Sequence, residues 1–353
     1  CALLPVGRLA DMLGRGNVFI AGLWGFIALS LACAQAGTLA WLILFRSLQG
    51  VAAAMIFATS MAILTATYPV QKRGLVLGIN VTCVYLGGSL GPVLGGVLTE
   101  WYGWRSVFYF VALLGLLAAL SVKRGVPPAA RQRGAGRFDL VGALLNVVML
   151  CALIIGCSRL AASPDAFGLL ALGGLALAAF VAWELRQLHP LLEVRLFAQS
   201  RSFALSNLAA MIHYAATFSI GFLLSLRLQL GLGLSERVAG LVLLAQPLAM
   251  PALSAYAGAL SDRVAPRLLA SAGMAITALG LAALGWAGTS SSLGLTVAIL
   301  LVVGIGFAFF GSPNNNAIMS AVPHEYLGAA SAMLAAMRMI GMSFSMALSA
   351  AVI

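Results

Sequence analysis

Gly7-Arg8-Leu9-Ala10-Asp11 stands near the start of this chain, and Gly258-Ala259-Leu260-Ser261-Asp262 repeats its pattern about 250 residues later. A second set of residues repeats at nearly the same offset: Gly50, Pro69 and Gly74 are followed by Gly304, Pro323 and Gly328. Because two separate patterns share almost one offset, we predict that the chain consists of two related halves.

The amino-acid composition indicates the environment in which this protein folds. Charged residues make up 8% of the 353 positions and hydrophobic residues 62%, whereas soluble domains carry about 25% charged residues. Apolar runs of about 20 residues recur along the chain, long enough to cross the bilayer as helices, and they lack the two-residue alternation of membrane strands. We therefore predict an all-α polytopic membrane protein with two pseudo-symmetric helical bundles.

The apolar runs give the predicted spans. They cover residues 17–35, 39–68, 74–99, 104–122, 139–159, 166–186, 202–228, 237–257, 267–287, 292–318 and 328–353, and the end of one more lies at 1–6. The repeat is longer than six helices need, and the surplus near 139–186 predicts two inserted helices. We expect an N-terminal bundle at 1–122, a linker with the inserted helices at 123–200, and a C-terminal bundle at 201–353.

The ends of the sequence lie inside apolar segments. We therefore expect that the first helix of the N-terminal bundle and the last helix of the C-terminal bundle are missing, and that the helix at 1–6 is partial. The sequence would then be a fragment of a longer protein.

The net charge of +11 is distributed unevenly. Alternating the spans across the membrane places most basic residues on one face: Arg8, Arg15, Lys72, Arg73, Lys123, Arg124, Arg131, Arg133, Arg137, Arg186, Arg195, Arg201, Arg263 and Arg267. The positive-inside rule makes this face, with the first loop, cytoplasmic, so the charge does not require nucleic acid as a partner.

Three patterns resemble signatures of the major facilitator superfamily, specifically its 14-span drug:proton antiporters. They are Gly7 to Arg15, Arg46-Ser47-Leu48-Gln49-Gly50, and the glycine stripe from Gly87 to Gly96. The resemblance implies a major facilitator fold in the plasma membrane, the inner membrane in bacteria. It also implies a small-molecule substrate and protons as partners, and leaves the oligomeric state open.

Two of these patterns carry the predicted gating residues. They are Gly7, Asp11, Gly14 and Arg15 in the first loop, Asp262 and Arg263 in its repeat, and Gly87, Gly91, Pro92, Gly95 and Gly96 in the fifth helix of the fold. Loop glycines permit a tight turn beside an acid-base latch, and glycines four apart let another helix approach closely. Pro92 removes a hydrogen bond and bends its helix. In the family this helix motif favours export; the alternatives are a topology signal for the loop and ordinary packing for the stripe.

Polar residues inside the spans are the candidates for proton coupling and for the cavity. They are Arg46, Gln49, His213, Arg338, Asn314 and Asn315. Arg46 lies about 10 Å into its helix and should point into the bundle, although an Arg near a boundary can also snorkel. His213 could instead be a packing residue, and the asparagines could mark a helix end at the interface.

The nine acidic residues all map to loops or helix ends. Proton antiport usually needs a membrane-buried carboxylate, so we expect the coupling acid in the missing first helix. With two buried Arg and no buried acid, the cavity is expected to be neutral to positive, which favours a neutral or anionic amphipath.

The leading hypothesis is a secondary exporter of small amphipathic compounds driven by protons. An uptake carrier or facilitator on the same fold, and a non-transporting membrane sensor, are the alternatives. The chain has no paired carboxylates, metal-ligand cluster or phosphate loop, so we predict no enzyme activity, cofactor or metal. Gly87-Gly88-Ser89-Leu90-Gly91 matches the hydrolase elbow formally, but it lies inside an apolar helix.

Overall fold

The computed structural model describes residues 2–125, 138–159, 165–187, 190–192, 194–287, 292–323 and 326–352. The first helices are α1 (Leu3–Leu13), α2 (Arg15–Ala34), α3 (Leu39–Thr67), α4 (Arg73–Tyr102), α5 (Arg105–Gly125), α6 (Leu140–Ser158) and α7 (Asp165–Glu184). They are followed by α8 (Arg195–Gln199), α9 (Arg201–Thr217), α10 (Ile220–Leu226), α11 (Glu236–Leu243), α12 (Ala245–Leu260), α13 (Pro266–Trp286), α14 (Leu293–Ser320) and α15 (Leu327–Val352). A 3₁₀ turn at Val70–Lys72 precedes α4, and a π-helical turn at Arg227–Gly231 continues α10.

The predicted all-helical membrane fold is confirmed. Over the described ranges, 11 segments are long and apolar enough to cross a membrane, and their bounds agree with the predicted spans to within a few residues. Arg131, Arg133 and Arg137, predicted on the cytoplasmic face, lie outside the described residues.

Two boundaries differ from the prediction. The pattern from Gly7 to Asp11 was expected in a loop, yet α1 continues to Leu13, and its repeat begins in the last turn of α12 and ends in the turn that follows. The turn after α1 needs only Gly14, whose φ of 97° suits a residue without a side chain. Gly7 therefore does not make the tight turn expected of it.

We group the helices by their order in the chain, as α1–α5 and α9–α15. In the first group α2 packs against α3 and α5, and in the second α14 packs against both α12 and α13. Contacts between the groups run along α4 with α12, and along α1 and α3 with α15. The interface between the groups is thus built around α4, α12, α1 and α15.

Helices α6 and α7 form a pair between the two groups in sequence. Asp139 caps α6 by accepting from the Gly142 backbone N–H at 2.9 Å, and it also accepts from Trp183 Nε1 of α7 at 3.0 Å. One carboxylate thereby satisfies the start of α6 and fixes its position against α7.

Candidate functional site

The first contact between the groups joins Asp262, just after α12, to the start of α4. Asp262 Oδ1 accepts from the Gly74 backbone N–H at 2.6 Å, and Oδ2 accepts from the Leu75 N–H at 3.0 Å. The first N–H groups of a helix have no partner within the helix, and its dipole places partial positive charge there. The carboxylate of one group therefore caps a helix of the other.

Glycines allow this contact to be close. A Cβ atom at Gly78 would lie 2.7 Å from the Ser254 carbonyl oxygen and 3.1 Å from Gly258 Cα. A Cβ atom at Gly258 would lie 2.8 Å from Gly78 Cα and would also collide with the Gly74 carbonyl oxygen. Helices α4 and α12 thus touch backbone to backbone, and the contact has no room for side chains.

A second contact repeats this arrangement between α1 and α15. Asp11 accepts from the Ala329 backbone N–H near the start of α15, and a Cβ atom at Gly328 would collide with its carboxylate. A Cβ atom at Gly7 would lie 2.6 Å from Ala332 Cβ. Asp11 and Gly7 therefore contact Gly328 as Asp262 and Gly258 contact Gly74.

The Asp11 carboxylate lies closer to charged side chains than the Asp262 carboxylate does. It forms an ion pair with Arg15, at 2.7 Å from Nε to Oδ1. Burial raises the pKa of Asp11 above its ordinary value, and the nearby Arg15 and Arg8 and the Ala329 N–H offset only part of this increase. Arg263, the predicted gating base after Asp262, is exposed.

The raised pKa predicts a pH-dependent stability. A carboxyl group whose pKa is higher in the folded state contributes stability that is present at low pH and lost as the pH rises through that pKa. We expect Asp11→Asn to be more stable than the wild-type protein above this range and to lack this component of the pH dependence. Thermal unfolding of both proteins between about pH 4 and pH 8 measures it. A wild-type protein that gains stability over the variant as pH rises would contradict the prediction.

The predicted close approach at the glycine stripe is wrong. Cβ atoms at Gly87, Gly91, Gly95 and Gly96 would meet no atom within 4 Å among the described residues. Gly87 is nine residues beyond Gly78, which places it about 180° around α4, on the side away from α12. Gly74 and Gly78, which the sequence analysis did not select for packing, have the same four-residue spacing and make the close contact instead.

Ser89 lies on the contacting face of α4. Its hydroxyl donates to the Pro247 carbonyl of α12 at 2.9 Å. Beside it is a cleft of about 550 Å³ between α4 and α11, lined by Ser89, Val93, Glu236, Arg237 and Pro247 among others. The contact between α4 and α12 is therefore tight at the Gly74 end and looser towards Ser89.

Arg46, expected to point into the bundle, contacts residues of α3 and α5. Its side chain is exposed, and its guanidinium turns along α3 to donate to Gln49 Oε1 at 2.8 Å and to approach the Phe108 ring of α5. Gln49 is buried and donates to Ser30 Oγ of α2 at 2.7 Å. The amide, rather than the guanidinium, enters the packed interior, because the long Arg side chain can lie along the helix surface.

A second polar cluster lies between α9, α14 and α15. Arg338 Nη2 donates to Asn315 Oδ1 at 2.5 Å, and the guanidinium carbon lies 5.5 Å from the centre of the Tyr214 ring. His213, next to Tyr214, stacks on Phe310 with ring centres 4.1 Å apart. The structure thus places three predicted residues in one region, and none of their contacts within the described ranges joins them to Arg46 or Gln49.

The other asparagines of α14 hold helices together. Asn314 Nδ2 donates to the Ser206 carbonyl of α9 at 3.1 Å, and Asn316 Nδ2 donates to Ser261 Oγ at 2.9 Å. Asn314 was a candidate cavity residue, but its amide is used for packing α14 on α9. The helix does not end at these residues; it continues to Ser320.

The fold agrees with the comparisons. The family model of the Major Facilitator Superfamily matches residues 1–346, and the chain belongs to this superfamily of membrane transporters. It is 29% identical over 339 residues to the riboflavin transporter RibZ of Clostridioides difficile, covering 95% of this chain and 73% of RibZ. It is 31% identical over 354 residues to the multidrug resistance protein Stp of Mycobacterium tuberculosis, covering 98% of this chain and 65% of Stp.

A solved structure shows the same fold. The human organic anion transporter MFSD10 superposes with a TM-score of 0.73 at 19% identity, over 99% of this chain and 74% of that chain. At this identity the similarity concerns the fold alone.

Proposed function

We propose that this protein is a secondary transporter that exports small amphipathic compounds in exchange for protons by alternating access. The two helix groups would be its moving halves. The contacts of Asp11 and Asp262 would close the cytoplasmic side in one state and break in the other.

The observation that carries the proposal is the pair of equivalent contacts between the groups. A carboxylate that caps a helix, as Asp262 caps α4, contributes about 0.5–2 kcal/mol, which is comparable to the few kcal/mol that separate the states of a switching protein. These contacts are strong enough to favour a closed end and weak enough to be broken in each cycle.

Similarity to a multidrug resistance protein supports export as the direction of transport. The multidrug resistance protein Stp matches almost the whole chain, and the resemblance of the glycine-proline pattern around Pro92 to the antiporter signature points the same way. The helix pair α6 and α7, placed in sequence between the two groups, supports assignment to the 14-span branch. His213 is our candidate for proton coupling within the described spans.

An uptake carrier remains the second candidate because RibZ, a riboflavin transporter, is similarly related to this chain. The two functions share the fold and the gate contacts. They differ in the direction of net movement, which an assay with oriented vesicles determines.

The test uses protein expressed from its complete reading frame in everted membrane vesicles. Fluorescent neutral, anionic and cationic amphipaths are supplied outside, with riboflavin as the neutral probe. We expect accumulation of at least one probe on energisation and its release when a protonophore is added. Net movement in the opposite direction would favour the uptake carrier, and accumulation that is insensitive to the protonophore would exclude proton coupling.

The Arg46→Ala variant tests the transporter hypothesis against that of a non-transporting sensor. We expect Arg46→Ala to reduce accumulation at least about ten-fold if its charge takes part in coupling, since each lost charge-assisted interaction is worth about 1.5–3 kcal/mol. Arg186→Ala, which removes an exposed Arg after α7, is the matched control. Equal rates for the two variants would count against a coupling role for Arg46.

A further inference from the structure

We propose that Arg338, Asn315 and His213 bind the anionic group of the transported compound, so that the substrate is an amphipath with a carboxylate or sulfonate and an aromatic body. This inference rests on the proposed transport function and specifies the class of substrate that would be carried. It follows from the depth, hydrogen bonding and surroundings of the cluster.

Arg338 lies deep in its span. It is 11 residues after Leu327, the first residue of α15, which corresponds to about 17 Å along the helix in a hydrocarbon layer about 30 Å thick. At this depth a lipid headgroup cannot reach the guanidinium. The side chain is half-buried, and Asn315 and His213 beside it are buried.

The cluster presents donors that the protein does not use. Arg338 donates from Nη2 to Asn315 Oδ1, but its buried Nε has no hydrogen-bond partner, and neither does the buried Asn315 Nδ2. His213 Nε2 is also buried without a partner, and it would be a further donor in the tautomer that carries the proton on this nitrogen. Unsatisfied buried donors are costly, and an anion that accepts from Arg338 and Asn315 would remove that cost.

The positive charge of Arg338 also lacks an acid among the described residues. Arg15, by contrast, forms an ion pair with Asp11 at the closed end of the bundle. Among the described residues, the Asn315 side-chain carbonyl and the face of the Tyr214 ring lie against the Arg338 guanidinium, and neither carries a negative charge. A cation at the middle of a span normally has a counter-charge, so a transported anion is a chemically suitable partner.

Aromatic side chains define the rest of the ligand. His213 is 4.3 Å from Phe307, measured between ring centres, and Tyr85 of α4 lies 6.4 Å from Phe307 in an edge-to-face arrangement. Tyr85 is also close enough to interact electrostatically with Tyr214 and Arg338. Both helix groups therefore contribute to the site, and an aromatic body beside the anionic group would contact Phe307 and Tyr85.

The test compares 1-pyrenebutyrate with 1-pyrenebutanamide, which share the aromatic body and differ in the charged group. Equilibrium binding to the purified full-length protein in lipid nanodiscs is measured without any gradient, with empty nanodiscs as the blank. We expect the carboxylate to bind at least about ten-fold more tightly than the amide, since a charge-assisted contact contributes about 1.5–3 kcal/mol. Arg338→Gln should reduce the affinity for the carboxylate to that for the amide and leave the affinity for the amide unchanged.

A second variant keeps the test valid if Arg338→Gln does not fold. Asn315→Asp places a fixed acid beside Arg338 and should also remove the preference for the carboxylate, while Arg186→Gln should preserve it. Equal binding of both probes to the wild-type protein would overturn the inference. A preference that survives in either Arg338→Gln or Asn315→Asp would overturn it as well.

The binding test of the anion site and the export test of the proposed function can fail independently of each other. Selective binding without export would keep the anion site and reject the exporter. Proton-driven export with no preference between the two probes would keep the exporter and reject the anion site.

Discussion

Gly258→Leu is expected to abolish transport by the full-length protein while leaving it inserted in the membrane. A Cβ atom at this position would lie 2.8 Å from Gly78 Cα and 2.7 Å from Ser312 Oγ, so α4 and α12 could not meet. Overpacking of this kind costs about 1–3 kcal/mol, and 3 kcal/mol lowers the population of the closed state more than 100-fold. The rest of α12 can remain helical because leucine is a better helix former than glycine.

Two measurements test this variant. Export in everted vesicles reports function, and the distance between spin labels at the exposed positions Lys72 and Arg267 reports closure at this end. We expect the label distance to increase. Gly285→Leu in α13 is the matched control, since a Cβ atom there would meet nothing within 4 Å. If the Gly258→Leu variant exports at the wild-type rate, or if the label distance does not change, the contact does not have the role proposed for it.

The helices could be predicted from the sequence because apolar runs of about 20 residues leave the backbone one way to satisfy its hydrogen bonds in lipid. The contacts between helices were harder to predict from the sequence. The repeat identified Gly7, Asp11, Gly258 and Asp262 as equivalent residues, yet periodicity within a chain does not reveal which residue lies opposite. Asp262 caps the start of α4 at Gly74 because of how the two groups pack.

Helix α4 shows why a motif was assigned to the wrong surface. It carries two sets of glycines, at Gly74 and Gly78 and at Gly87 and Gly91, with the same four-residue spacing. Spacing defines a face of a helix, and the two sets lie on different faces. Only the packing shows that the first set faces α12, so the sequence alone could not choose between them.

For the polar side chains in the spans, burial could be predicted from the sequence but the hydrogen-bond partners could not. Burial of an asparagine in α14 was predictable, since three consecutive amides cover more than half of the helix circumference. The pairing of Asn315 with Arg338, and of Asn316 with Ser261, depends on the positions of α15 and α12. Arg46 lies on the helix surface because a long flexible side chain can satisfy its charge locally, through Gln49.

Asp262→Ala is expected to reduce export several-fold. The change leaves the Gly74 and Leu75 N–H groups without their carboxylate acceptor and removes the favourable interaction with the dipole of α4. Loss of an N-terminal cap costs about 0.5–2 kcal/mol, which lowers the population of the closed state by a factor of about 2–30. Export rates and the Lys72 to Arg267 label distance measure both consequences.

The companion variants separate charge from hydrogen bonding. Asp262→Asn keeps an oxygen acceptor but loses the charge, so we expect an effect between those of the wild-type protein and Asp262→Ala. Glu100→Ala removes an exposed carboxylate near the other end of α4 and should leave the rate unchanged. If Asp262→Ala and Glu100→Ala transport equally, the cap of Asp262 does not contribute to closure, and the remaining contacts at this end, including that of Gly258 with Gly74 and Gly78, must hold it together.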